Sequence, residues 1–294
     1  MGVVMALHKL KDFHTPGTIE EALVLLGNDA DALVLSGGTF LHGLEARGLL
    51  SDVEVLVAIR KIGLGTVQTD EAGLDIGATV TFAHLKAVEE VKSAPWLAAL
   101  ADSLDYPPVQ ILNAATVGGC VAASCPFFDI PTALIALDAV VKTRGPSGER
   151  QMPLTEFFDG LFANVLESGE LVTGVVLERF QGNTASAFIK LEGNANDLAI
   201  VNAAVLITVD ASKTCTKVRV ALGGGVAESA LRIPSAEKIL LGSKLDAATL
   251  QAAGDAVVND ISPMSDHRAS AEYRSVVAKV MTRRALERAV ARLA

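Results

Sequence analysis

Cysteine is scarce in this 294-residue chain, and its distribution excludes more than it suggests. Cys120, Cys125 and Cys215 form an odd set, whereas a disulfide framework calls for an even, spaced one and an iron–sulfur cluster takes about four thiolates. A metal clip is therefore excluded. Cys120 and Cys125 are expected as small apolar groups in a packed segment, and Cys215 as an exposed residue in the turn "DASKTCTK". The histidines show no H-x-x-x-H spacing, so no zinc site is expected. Also missing is any run of about 18 apolar residues free of charges and breakers, so no membrane span is expected. The opening "MGVVMALHKLKDF" lacks a basic region followed by a small-residue cleavage site, which leads to the expectation of a cytoplasmic protein. Basic residues are outnumbered, 25 Lys and Arg against 34 Asp and Glu. That balance repels phosphate polymers, and nucleic acid is not an expected partner.

The common nucleotide and nucleophile signatures are absent as well. There is no G-x-x-x-x-G-K-[ST], "GLGTVQ" from Gly63 does not continue as G-x-G-x-x-G, and no G-x-S-x-G elbow occurs. Any chemistry this chain supports is expected to come from a cofactor.

What is present is an alternating pattern. "TPGTIEEALVLLG" reads as a helix with a capping box from Thr18 to Glu21 and a left-handed stop at Gly27. "DALVLSGGTF", "LHGLEARGLLS" and "VEVLVAI" then read as strand, turn, helix and strand, an α/β unit. After residue 61 come short strands about an "EAG" turn, helical stretches, a hairpin with "GPSG" at its tip and the strand "ELVTGVVLERF". The last part offers three strand candidates, "ASAFIKLE", "AIVNAAVLITVD" and "KVRVALGGG", followed by helices. "GGGVAES" reads as a flexible turn, and the terminal helix as starting near Arg268 with Tyr273, Val277 and Val280 on its buried face. The expected domains are 1–178, divided at about residue 60, and 179–294.

Two glycine pairs stand in matching places, "LSGGTFL" at 35–41 and "TVGGCVA" at 116–122. Glycine lets the backbone bend and bring successive N–H groups close to an anion. Two such turns meeting in space would grip a pyrophosphate, although either pair alone is more often a plain turn. Asp129 is the one acid between Cys120 and Leu137. It either meets a hydroxyl-rich ligand or caps the helix "IPTALIALDA", since a buried acid without a partner is costly.

"LSGGTFL", "IGATVTFAHL", "QILNAATVGG" with "SCPFFDIPTALIALDA", and "DHRASAEYRSVVAKVMTRRALERA" together resemble the FAD-binding medium subunit of the molybdenum hydroxylases, the family of carbon monoxide dehydrogenase and xanthine dehydrogenase. The likeness runs in order from about residue 8 to the C-terminus. It implies an α+β chain with an FAD-binding fold of the vanillyl-alcohol-oxidase type in two α/β subdomains, then a C-terminal α+β domain with a three-stranded antiparallel sheet and helices.

The resemblance also implies site residues. Ser36, Gly37, Gly38 and Thr39 would form the first pyrophosphate turn, flanked by Val34, Phe40 and Leu41. Thr116, Gly118 and Gly119 would form the second, with Ala115, Cys120 and Ala123 beside it. Asp129 would bond the ribityl or adenosine side of FAD, Lys190 would lie near the flavin ring, and Tyr106 is a further candidate. Molybdopterin would sit on a large partner subunit and two [2Fe-2S] clusters on a small one, in a dimer of heterotrimers. The chain departs from the family pattern at Leu112, where arginine is common, at Cys120, where asparagine is, and at Gly193 and Asn194, where arginines usually follow the lysine. A stand-alone flavin oxidoreductase using Tyr106, His42 and Lys190, or a flavin-free scaffold, are the alternative readings.

Overall fold

A computed structural model of the chain describes residues 7–29, 31–195 and 197–294. Three sheets form in chain order. The first is parallel: β1 (Asp12–His14), β2 (Leu33–Leu35) and β3 (Val55–Ala58), in the order β1-β3-β2. Helix Ile19–Asn28 links β1 to β2, with Thr18 Oγ1 accepting from Glu21 N at 3.1 Å. Gly27 lies inside this helix and takes no left-handed stop, because the turns continue to Asn28. Helix Thr39–Glu45 then links β2 to β3.

The second sheet is antiparallel, β4-β5-β8-β6-β7, built from β4 (Val67–Thr69), β5 (Gly73–Gly77), β6 (Val140–Gly145), β7 (Gly148–Pro153) and β8 (Leu171–Glu178). Pro146 and Ser147 turn the β6–β7 hairpin at the expected tip. Between β5 and β6 runs a series of short helices, among them Ala98–Ser103, Val109–Ala114, Val117–Ala122 and Asp129–Ala136.

The third sheet holds β9 (Asn183–Leu191), β10 (Val201–Val209), β11 (Cys215–Gly223) and a fourth strand too short to read from the sequence, β12 (Leu231–Arg232). Strand alternation sorts the side chains of β10. Ala204 and Leu206 join the core of the preceding helices, while Ala203, Val205 and Ile207 pack against the terminal helices. β10 is thus buried on both faces, which explains its near-continuous apolar run.

Three expectations fail here. Cys215 is 1 % exposed, because it opens β11 rather than sitting in the turn. The terminal helix is Ala271–Val290, capped by Ser270, whose hydroxyl accepts from Tyr273 N. Its buried stripe is Arg274, Val277, Ala278, Met281, Thr282, Ala285, Leu286 and Ala289, and Tyr273 is half exposed. "GGGVAES" is packed rather than flexible. Gly224 and Gly225 have φ of +83° and +79°, and a Cβ on Gly225 would lie 2.7 Å from the Phe127 ring.

Candidate functional site

One cleft of about 990 Å³ opens between the first two sheets and the third, near the upper end of the usual range of about 300–1,000 Å³ for small-molecule sites. All sixteen sequence-derived candidates line it: Val34, Ser36, Gly37, Gly38, Thr39, Phe40, Leu41, Tyr106, Ala115, Thr116, Gly118, Gly119, Cys120, Ala123, Asp129 and Lys190. His42 is not on its wall.

The first glycine pair follows β2 directly. Gly38 adopts φ +73° as the residue before helix Thr39–Glu45, a conformation that favours glycine. Gly37 is glycine for a different reason. A Cβ there would lie 2.0 Å from the carbonyl oxygen of Ala114, so the chain before the second pair passes directly over it. The N–H groups of Gly37 to Leu41 make no hydrogen bond to another described residue, as the first turn of a helix dictates.

The second pair is not a turn. Thr116 caps helix Val117–Ala122, and Gly118 and Gly119 lie within it. Its donors are largely committed: Val117 N to Val80 O at 3.0 Å, Gly118 N to Ala78 O at 2.9 Å, and Gly119 N to Thr116 Oγ1 at 3.3 Å. Gly118 serves close packing instead, since its Cβ would meet Ala78 Cβ at 2.5 Å. The two segments join through Ser36 Oγ and Thr116 Oγ1, 2.9 Å apart. The first pair therefore supplies free backbone donors, and the second supplies hydroxyl and fit.

Asp129 does not cap its helix. It is the first helical residue, after Phe128 at the cap position. Its carboxylate accepts from Lys190 Nζ at 3.0 Å and from Asn202 Nδ2 at 2.9 Å. Burial pushes its pKa up, and Lys190 and Asn202 oppose that shift. Lys190 Nζ also lies 3.0 Å from a Glu192 carboxylate oxygen, in a charge contact without hydrogen-bond alignment, and 5.2 Å above the Tyr106 ring. Asn202, buried on β10, further accepts from Thr132 Oγ1 at 2.9 Å. The acid, the base and the amide thus satisfy one another at the junction of helix Asp129–Ala136 and the third sheet.

Sequence reasoning missed the opposite wall. Asp266, His267 and Arg268, the start of the "DHRASAEYR" stretch, also line the cleft with Phe127 and Arg47. Asp266 accepts from Arg268 N, Ala269 N and the guanidinium groups of Arg268 and Arg274. Burial alone would raise its pKa, but these donors hold it well below the usual carboxylate range. At the mouth, Phe40 stands edge-on to Phe128 at 5.8 Å and stacks on half-exposed Phe162 at 6.0 Å. Burial raises the thiol pKa of Cys125 to about 11 and that of Cys120 well above its ordinary value, so neither is a nucleophile near neutral pH. Among the described residues no group of three or more His, Cys, Asp or Glu could hold a metal.

Residues 8–177 match the family model described as the FAD binding domain in molybdopterin dehydrogenase. The chain belongs to that family. Residues 186–289 match the carbon monoxide dehydrogenase flavoprotein C-terminal domain. The chain is 32 % identical to the medium chain of carbon monoxide dehydrogenase from Hydrogenophaga pseudoflava, over 96 % of this chain and 98 % of that one. To subunit alpha of the 6-hydroxypseudooxynicotine dehydrogenase complex of Paenarthrobacter nicotinovorans it is also 32 % identical, over 96 % and 95 % of the two chains. A solved carbon monoxide dehydrogenase from Hydrogenophaga pseudoflava superposes with a TM-score of 0.90, covering 97 % of this chain and 99 % of that one at 32 % identity. Quinoline 2-oxidoreductase from Pseudomonas putida 86 follows at 0.87, 26 % identity and coverage of 96 % and 97 %.

The residues that line the cleft suit a dinucleotide of the FAD type. The cleft is mostly apolar, with uncommitted N–H groups at the first glycine pair, hydroxyls at Ser36, Thr39 and Thr116, and cations at Arg47, Lys190 and Arg268. No helix among the described residues is long and apolar enough to cross a membrane.

Proposed function

We propose that this cleft holds FAD, and that the chain passes electrons from [2Fe-2S] clusters of a small partner subunit through the flavin to an external acceptor. Substrate oxidation would then take place at molybdopterin on a large partner subunit, in a dimer of heterotrimers. Bound FAD takes up electrons singly or as a pair, which suits it to a place between one-electron clusters and a two-electron acceptor. The chain's own residues bind and orient. The N–H groups of Gly37 to Leu41 and the hydroxyls of Ser36, Thr39 and Thr116 meet the diphosphate, where backbone dipoles stabilise an anion without a lysine. Lys190 faces the flavin end and is held there by Asp129. Asp129 acts through Lys190 and Asn202, since both its oxygens are already bonded within the protein.

The observation that carries this reading is the gathering of sixteen candidates, drawn from five separate stretches of sequence, onto one cleft wall. The stand-alone oxidoreductase reading gains nothing from the geometry. His42 lies off the wall, and Lys190 is already engaged by two carboxylates. The relatives' names span carbon monoxide, a nicotine derivative and quinoline, so the family alone selects no substrate.

The first experiment is an absorption spectrum of the purified chain, with chromatographic identification of any released chromophore. Bands at about 370 and 450 nm, an expectation for protein-bound flavin, with about one FAD per chain, support the proposal. A folded chain that is colourless and cannot be reconstituted with FAD refutes it. Co-purification with two further subunits tests the heteromeric part.

A further inference from the structure

Arg268 is anchored on one side only. Its Nε and Nη2 fork onto Asp266 Oδ2 at 3.1 and 2.7 Å, and its guanidinium centre lies 3.9 Å from the centroid of the Phe127 ring. Nη1 is buried and has no hydrogen-bond partner among the described residues. Among those residues it is the one such atom belonging to the cleft wall. A buried donor left unmade carries the full cost of its desolvation and calls for an explanation.

The surroundings are built to keep that arm in place. Arg274, fully buried, donates to Asp266 Oδ1 at 2.8 Å and to the carbonyls of Ile200, Met264 and Ala269. Arg274 thereby ties the segment 264–269 to Ile200, the residue before β10. Phe127 is packed against Gly225, which has no room for a Cβ. The carboxylate and the ring hold the guanidinium from two sides, so its place on the wall is set by its neighbours.

The other cations of the cleft do not duplicate it. Lys190 is held between Asp129 and Glu192, and Arg47 is exposed. We infer that Arg268 is a cofactor-binding residue, supplied to the cleft by the C-terminal segment, whose guanidinium donates to an oxygen acceptor of the bound FAD. This rests on the FAD reading above. It also gives the "DHRAS" stretch a role: Asp266 and Arg274 are positioning residues for Arg268.

The test uses the full chain, stripped of flavin, and two variants. Arg268→Lys keeps a cation for Asp266 but lacks the second arm, and Arg268→Gln removes the charge. Titration with FAD, followed by quenching of flavin fluorescence, should give a Kd raised roughly 10- to 100-fold in both, the loss of one charge-assisted hydrogen bond. The flavin-free thermal midpoints are measured beside the affinities, because lysine also gives up one of the two bonds to Asp266 and the contact with the Phe127 ring, and the rise in midpoint on adding saturating FAD should be smaller in both variants than in wild type. Competition with ADP and with FMN locates the acceptor: weaker ADP binding places it on the adenosine diphosphate half, weaker FMN binding on the flavin half. Arg268→Lys with wild-type FAD affinity would overturn the inference while leaving the FAD reading intact. A wild-type chain without FAD affinity would remove both.

Discussion

Gly37→Ala is the sharpest perturbation of the proposed cradle because it adds one methyl group where the backbone leaves no space. The new carbon would sit 2.0 Å from Ala114 O, 2.9 Å from Ala114 C and 3.0 Å from Ala115 Cα. All three are backbone atoms, so no side-chain rotation relieves the contact, and the two cleft segments must move apart. Overpacking of this kind costs about 1–3 kcal/mol. Separation also breaks the Ser36–Thr116 hydroxyl pair, adding about 1 kcal/mol. A loss of about 2–4 kcal/mol corresponds to roughly 3–7 °C in thermal midpoint for a chain of this size. FAD affinity should fall by more than tenfold, since the donors of Gly37 to Leu41 move away from Thr116. Differential scanning calorimetry and a fluorescence titration measure the two effects. Gly38→Ala is the internal comparison. Its nearest obstacle is the mobile end of Leu35 at 3.2 Å, so its cost comes mainly from φ +73°, about 1–2 kcal/mol. Gly37→Ala with a midpoint within about 2 °C of wild type and unchanged FAD affinity would refute the claimed close approach.

Two further outcomes follow from buried charge. Asp102, 8 % exposed, joins helix Ala98–Ser103 to the C-terminal part by accepting from Arg288, Arg292 and Phe188 N. Asp102→Ala leaves the buried Phe188 N–H without a partner and should cost about 1–3 kcal/mol, read as a lower urea midpoint at unchanged m-value; an unshifted midpoint would show that the latch contributes nothing. Asp266 has a depressed pKa, so the stability it confers is present above its unfolded value of about 3.9 and is lost as pH falls further. Asp129, raised by burial, works in the opposite sense, its contribution declining as pH rises, and softens the acid loss. The thermal midpoint of wild type should fall as pH is lowered below about 4, while Asp266→Asn, lower at pH 7, should show a flatter profile; parallel profiles would contradict this linkage.

How legible the site was depended on whether each residue announces itself locally. Leu33–Leu35 followed by Ser36 to Thr39 carries its own signal, an apolar strand running into glycines and a helix. Thr116 to Gly119 misled because two adjacent glycines read as a turn, whereas the hydroxyl of Thr116 three residues before Gly119 is a helix cap. Ala78, the neighbour that makes Gly118 a glycine, lies forty positions earlier, and nothing local points to it. Arg274 was hidden for a similar reason. A charged residue in a helix reads as surface, yet its charge is met by Asp266, by the carbonyl of Ile200 just before β10 and by that of Met264 in the preceding loop. Cys215 was misplaced by polar neighbours, although the strand that buries it begins at that residue. Long-range satisfaction of polar groups is what the periodicity of a chain does not encode.

The departures from the family pattern separate once the wall is known. Leu112 packs partly buried against the core and is off the cleft lining, and exposed Gly193 and Asn194 are off it too. Only Cys120 changes the cleft surface. A thiol forms weaker hydrogen bonds than an amide, so the consequence of this departure is measurable by reversal. Cys120→Asn places an amide at a site 8 % exposed, near Cys125 and Asp129. Without ligand the amide lacks a ready partner, and the flavin-free protein should lose about 1–3 kcal/mol. If the position faces the cofactor, FAD supplies that partner, and the rise in thermal midpoint on adding saturating FAD should exceed the wild-type rise. Equal losses with and without FAD would mean that residue 120 packs behind the wall, and that cysteine there leaves cofactor binding untouched.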